Sequence, residues 1–181
     1  MSTTTTPTGW SSPPMIWGLV GISTVLLTYG FWDGITDMLG RWSSKEEYGY
    51  AYFLPFISVY LIWQRRDRLI EVEFTPSWFG VAVLLVAGFL FFLGEIATTF
   101  TLVQYALVLS VLGFAYALMG WQAFKLVAGP LFLLFFIVPL PTFIYNSLSG
   151  ILQLISSELG VEVIRWFGIS VFLEGNVIDL G

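Results

Sequence analysis

Five apolar runs separated by short polar stretches set the plan of the chain. Residues 15–32, MIWGLVGISTVLLTYGFW, form the first. As a helix its 18 positions reach roughly 27 Å, enough to cross the hydrocarbon core of a bilayer. A polar link follows, with Asp33, Asp37, Arg41, Lys45, Glu46 and Glu47. The second run, 48–63, contains Pro55, whose ring blocks one helical hydrogen bond and predicts a kink. Its Tyr48, Tyr50, Tyr52 and Trp63 suit an aromatic belt at the headgroups. The third and fourth runs, 78–93 and 100–119, are joined by a link holding Glu95. The fifth, 124–140, opens near Lys125 and contains Pro130 and Pro139.

Beyond Pro141 the period changes. Leu148, Ile151, Leu152, Ile155, Leu159, Val163 and Trp166 recur at helical spacing, with Ser149, Gln153, Ser156 and Ser157 elsewhere on the wheel. This predicts an amphipathic helix over 143–167, stopped by Gly168 and bent near Gly160. Residues 169–173 and 177–180 then flank Glu174-Gly175-Asn176, the pattern of a small β-hairpin. At the other end, residues 1–14 (MSTTTTPTGWSSPP) are uncharged and Thr/Ser/Pro-rich, and read as a disordered tail. No basic region precedes the first apolar run and no A-x-A-like site follows it, which argues against a removed signal peptide. The expected fold is an all-α polytopic membrane protein of about five transmembrane helices, with the amphipathic helix and hairpin at its C-terminus. Residues 15–181 are expected to form one membrane-embedded domain.

Composition agrees with lipid as the solvent. Residues are 57% hydrophobic, 18% aromatic and 10% charged, where a soluble domain carries about a quarter charged. A net charge of −5 and the lack of any large basic cluster exclude nucleic acid as a partner. Cysteine and histidine are both absent. That removes the thiolate nucleophile and ligand, the commonest general base and the commonest metal ligand. No catalytic, cofactor-binding or metal-binding residue is therefore assigned within the chain. Three arginines in Gln64-Arg65-Arg66-Asp67-Arg68 mark that loop as cytoplasmic. Counting outward puts the N-terminus in the cytoplasm and residues 139–181 outside. The cytoplasmic side then carries net +1 and the outer side net −6.

Several groups invite a chemical reading beside a structural one. Glu158, Glu162 and Arg165 stand at i, i+4 and i+7. As a site, the two acids would share protons or bind a cation. As structure, Glu162 and Arg165 form an i, i+3 surface pair, and this reading is preferred. A carboxylate inside a membrane is functional by default, but the flanking spans leave Glu95 at the outer interface. Glu46-Glu47-Tyr48 lies at the mouth of the second span, either lining a substrate entrance or facing water. Asn146-Ser147-Leu148-Ser149-Gly150 lacks the full G-x-S-x-G and has no histidine to activate a serine. Arg65, Arg66 and Arg68 suit anionic headgroups, although topology alone accounts for them. Pro139 and Pro141 end a spanning helix and fix its exit.

Three stretches together resemble a known family. Ile137-Val138-Pro139-Leu140-Pro141-Thr142-Phe143-Ile144-Tyr145-Asn146 is similar to the proline pair that closes a transmembrane helix in the exosortases. Leu152-Gln153-Leu154-Ile155-Ser156-Ser157 and the run from Gly168 through Glu174-Gly175-Asn176 to Ile178 resemble the segment preceding that family's active site. Upstream, Glu46-Glu47-Tyr48 and the span ending Leu61-Ile62-Trp63-Gln64-Arg65-Arg66 also fit.

The resemblance implies a multi-pass protein of the bacterial inner membrane: a sortase-like cysteine transpeptidase or protease. Its partners would be C-terminal sorting signals of PEP-CTERM type, cut on the outer side in cells that often make exopolysaccharide. The ending Val177-Ile178-Asp179-Leu180-Gly181 leans toward the subclass serving VPLPA-type signals. Two departures stand out. Many exosortases carry a His-Gly pair where this chain has Tyr50-Ala51. The family's catalytic Cys, Arg and His follow the segment matching residues 177–181, so the expectation is a fragment inactive in peptide cleavage. The alternative is a non-catalytic membrane protein, either a transporter fragment or a scaffold in envelope-polysaccharide assembly.

Overall fold

A computed structural model describes residues 14–168, 171–174 and 177–179. They fall into two compact units, Met1–Pro139 and Leu140–Gly181. Of the tail expected over 1–14, only Pro14 is among the described residues.

The first unit begins with α1 (Pro14–Gly30). The helical ladder continues through Phe31, whose N–H donates to Leu27 and whose carbonyl accepts from Ile35 (3.0 and 2.9 Å). It runs on into α2 (Trp32–Ser44), so the polar link expected after Trp32 is itself a helix. Its buried Gly34, Met38 and Trp42 recur every fourth residue, which places them on one face while Asp33, Asp37 and Arg41 occupy others. A 3-10 turn, Glu46–Tyr52, leads to α3 (Leu54–Gln64), and α4 (Arg66–Ile70) follows.

The second expected run, 48–63, is therefore part 3-10 turn and part α-helix. Its helical part is 11 residues, or roughly 16 Å. Pro55 does not kink it, because it stands in the first turn, where a missing N–H costs nothing.

α5 (Trp78–Ile96) and α6 (Phe100–Phe132) form the centre of this unit. The Ser77 side chain caps α5 by accepting from the Phe79 N–H at 3.3 Å. Small residues let the two helices approach closely. On α5, Gly80, Ala87 and Gly94 are buried at seven-residue spacing. On α6, Ala106, Gly113 and Gly120 are buried at the same spacing. A Cβ on Gly94 would meet Val103 Cγ2 at 2.8 Å, and one on Gly113 would meet Leu84 Cγ at 3.1 Å. Small residues at heptad spacing are the means by which membrane helices pack when lipid supplies no hydrophobic drive.

α6 reverses at Gly120, whose φ of 70° and ψ of 176° are not helical. Tyr116 stacks on Phe124 with ring centroids 4.8 Å apart, and Tyr105 lies 6.3 Å from Phe135. In a straight helix Tyr105 and Phe135 would be about 45 Å apart. Residues 100–119 and 121–137 are thus two antiparallel arms, the second ending in a 3-10 turn, Leu133–Ile137. A side chain at 120 has no room, since a Cβ there would stand 2.1 Å from the Thr75 carbonyl oxygen. Among the described residues, three helical stretches are long and apolar enough to cross a membrane: Trp78–Ile96, Phe100–Ile137 and Thr142–Trp166. The chain is an all-α membrane protein.

The second unit is built on α7 (Thr142–Trp166), continuous through Gly160, and the Pro141 carbonyl accepts the Tyr145 N–H at 3.0 Å. Gly168 takes φ +76° and its N–H returns to the Arg165 carbonyl at 2.9 Å, a glycine stop of the expected kind. Two three-residue strands, β1 (Phe172–Glu174) and β2 (Val177–Asp179), pair antiparallel with Leu173 opposite Ile178. The turn expected on Gly175-Asn176 lies outside the described residues.

Candidate functional site

Proline chemistry dictates where the second arm of α6 needs help. Pro130 has no N–H, so the Leu126 carbonyl four residues earlier lacks its helical donor. Arg65, which follows α3, fills that place: its Nη1 donates to the Leu126 carbonyl. One turn on, Ser58 Oγ donates to the Pro130 carbonyl at 2.8 Å, in a buried setting.

The same logic recurs at the exit of the arm. The helix ends at Ile137, because the residue before Pro139, Val138, is extended, and the Phe136 and Ile137 carbonyls are left at its open end. Trp42 Nε1 donates to the Ile137 carbonyl at 2.9 Å, and the Tyr50 hydroxyl reaches the Phe136 carbonyl at 3.4 Å. The first is a strong bond and the second is at the limit of one. Trp42 is 6% exposed and meets the Tyr52 ring edge-on at 5.1 Å. Tyr48 and Ala51 are buried in the same cluster as Ile137 and Val138. The stretch around Glu46-Glu47-Tyr48 and the stretch around Pro139, each singled out in the sequence, therefore form one place.

Next to it lies a buried polar group. Gln104, in the first arm of α6, is 1% exposed. Its Nε2 donates to the Gly34 carbonyl at 3.1 Å and to Asp37 Oδ2 at 2.9 Å. Both partners are acceptors, which fixes the amide orientation and leaves Oε1 buried without a partner. Asp37 Oδ2 also pairs with Arg41 Nε at 2.8 Å, one turn along α2. Gly34 itself packs on Val103, where a Cβ would come within 2.9 Å of Cγ1.

The first unit gathers four of its basic residues at one end, in the same segment as Asp67, Glu71 and Glu73 or facing it. Arg65 bonds Leu126, Thr75 abuts Gly120, and Ser77 N–H bonds the Ala117 carbonyl at 3.0 Å. Arg65, Arg66, Arg68 and Lys125 therefore gather at the Gly120 end. There Arg66 lies 4.4 Å over the Trp63 ring and Lys125 5.5 Å over Trp121. The Trp42–Ile137, Gln104–Gly34 and Gly94–Val103 contacts lie at the opposite end, with Glu46 and Glu47 exposed there.

The remaining candidates stay apart. Glu95 is exposed in the last turn of α5. Ser147 and Ser149 lie inside α7, so no strained strand-to-helix turn presents either. Glu158 and Glu162 are exposed on α7. The expected Glu162–Arg165 pair does not form. Arg165 Nη2 instead donates to the Val171 carbonyl at 3.0 Å, tying the end of α7 to the approach to β1. Among the described residues, no three His, Cys, Asp or Glu side chains could hold a metal ion.

The family model described as transmembrane exosortase (Exosortase_EpsH) matches residues 42–181. The chain belongs to the transmembrane exosortase family. No curated protein and no solved structure matches it. The exosortase region opens on Trp42, the residue whose indole holds Ile137, so both halves of the Trp42–Ile137 contact lie within it. Helix α1 and most of α2 precede it.

Sequence reasoning missed Trp42, Ser58 and Gln104. A signal existed for two of them. Gln104 is a lone amide near the start of an apolar run, and such groups in membrane helices need a named partner. Trp42 follows Gly34 and Met38 at intervals of four, the mark of a buried helix face. Nothing in the sequence distinguishes Ser58.

Proposed function

We propose that the chain serves in the processing of C-terminal sorting signals of PEP-CTERM type at the outer face of a bacterial inner membrane. In this reading the Gly120 end, with its arginines, faces the cytoplasm. The Trp42–Ile137 end faces outward, and residues 139–181 form the approach to the cleavage site there. The single observation that supports this is the contact joining residues 42–52 to 136–139 at the end opposite the basic cluster. A peptide arriving with its own membrane helix would meet that surface at the bilayer boundary. Thiol chemistry on that peptide needs a cysteine that residues 1–181 do not hold. Their part is to hold the membrane and present the substrate. The ending of the chain favours VPLPA-type signals among the possible motifs.

A reporter ending in such a signal, with a photo-crosslinker in its sorting motif, tests the reading. It is expected to cross-link to the chain at residues 42–52 or 140–181, and to remain uncut by residues 1–181 alone. Absence of cross-linking sinks the substrate class; a shortened reporter sinks the division of labour. The lack of both cysteine and histidine favours one competing reading, a non-catalytic envelope protein. That reading gains if the reporter neither cross-links nor is cut.

A further inference from the structure

Four side chains from residues 42–65 bond carbonyls along the second arm of α6, in antiparallel order: Arg65 to Leu126, Ser58 to Pro130, Tyr50 to Phe136, Trp42 to Ile137. Three of those carbonyls, at Leu126, Phe136 and Ile137, stand three or four residues before a proline. The coincidence has a physical basis. A carbonyl that loses its helical donor in an apolar surrounding costs free energy until another donor reaches it. The side chain that reaches it therefore gains a partner that no neighbouring carbonyl offers. Trp suits this role, because its indole N–H is a donor only and the rest of the ring is apolar.

We propose that Trp42 is a positioning residue for the exit of the second arm. Its indole N–H takes the place of the backbone donor lost where the helix ends at Ile137, Val138 being extended before Pro139, and so fixes residues 136–139. Arg65 does the same for Pro130 at the other end of the arm. Tyr50, at 3.4 Å, is the weaker auxiliary. Pro139 and Trp42 then work as a matched pair: the proline ends the helix and frees the carbonyl, and the indole captures it. The value of this for catalysis rests on the reading that residues 139–181 approach the cleavage site. The pairing itself does not.

The plain alternative is that Trp42 is only a core ring. Two measurements on the full chain in detergent separate the cases, and neither uses peptide cleavage, so a failure here is distinct from a failure of the functional reading. The first is indole hydrogen exchange, with Trp42 assigned through Trp42→Phe and the exposed Trp63, Trp78 and Trp121 as references. The Trp42 proton is expected to exchange at least about tenfold more slowly than those references, the factor that corresponds to about 1.4 kcal/mol. On replacing both prolines (Pro139→Ala with Pro141→Ala), backbone N–H groups return to compete for the same carbonyls. The protection is then expected to fall.

The second is a stability cycle. Trp42→Phe is expected to lower Tm in the parent and to lower it less than half as much in the double-alanine background. Pro139→Ala alone serves if the double variant does not fold. An indole that exchanges as fast as the references, or an equal Tm loss in both backgrounds, overturns the pairing.

Discussion

Gly80 and Ala117 stand in backbone contact: a Cβ on the glycine would lie 2.2 Å from the Ala117 nitrogen and 2.4 Å from its Cα. Because the near atoms are backbone, no rotamer change relieves the overlap, and α5 must move from α6. Gly80→Val is expected to cost about 2 kcal/mol or more in a detergent unfolding measurement. Gly88, on the same helix, has nothing within 4 Å of such a Cβ. Gly88→Ala is expected to be neutral or to stabilise by roughly 0.5–1 kcal/mol.

The Gln104 amide is a graded test of polar burial. Gln104→Glu would set a carboxylate against Asp37 Oδ2 and the Gly34 carbonyl, where only a donor now fits. Gln104→Leu loses two hydrogen bonds but also removes the partnerless Oε1. The first is expected to cost about 3 kcal/mol or more and the second about 1 kcal/mol. Thermal unfolding that ranked Leu below Glu would show that the buried amide is not held as described.

Neighbouring arginines are expected to differ. Arg65 is half-buried and bonds the Leu126 carbonyl. Arg66 is exposed, stacked on Trp63 and 3.5 Å from the outward-facing Asp67 carboxylate. Arg65→Met is expected to cost about 2 kcal/mol, as for a charge-assisted bond. Arg66→Met is expected to cost under about 1 kcal/mol. Equal melting shifts for the two would contradict this division.

The proposed orientation is open to a direct check, since the chain brings no cysteine of its own. Asp67→Cys is expected to react with an impermeant thiol reagent from the cytoplasmic side of membrane vesicles and Ser147→Cys from the opposite side. Labelling of both from one side would cancel the assignment, and labelling of Asp67→Cys from the outer side alone would reverse it.

What the sequence could reveal follows from what hydropathy measures. Long apolar helices such as α5, and the amphipathic α7 with its Gly168 stop, are legible because burial in lipid demands an unbroken run. The reversal between Met119 and Phe124 was legible as a gap between spans, and Gly120 carries it. The helix over Trp32–Ser44 read as a polar link, because its charges mask the fourfold recurrence of Gly34, Met38 and Trp42. Pro55 was misread as a kink because hydropathy cannot tell the first turn of a helix from its middle. The bonds from Trp42, Ser58 and Arg65 join residues 61 to 95 positions apart. No local pattern encodes them, although the prolines announced which carbonyls would need a donor.

The turn at Gly120 also bears on how the chain is made. Stretched as one helix, Phe100–Ile137 spans 38 residues, or about 57 Å, against a hydrocarbon thickness of about 30 Å. A nascent rod of that length would leave nearly half its apolar surface in water until it bent. The bilayer therefore selects the doubled form by mismatch alone, and Gly120, the glycine of this stretch with positive φ, decides where the rod folds.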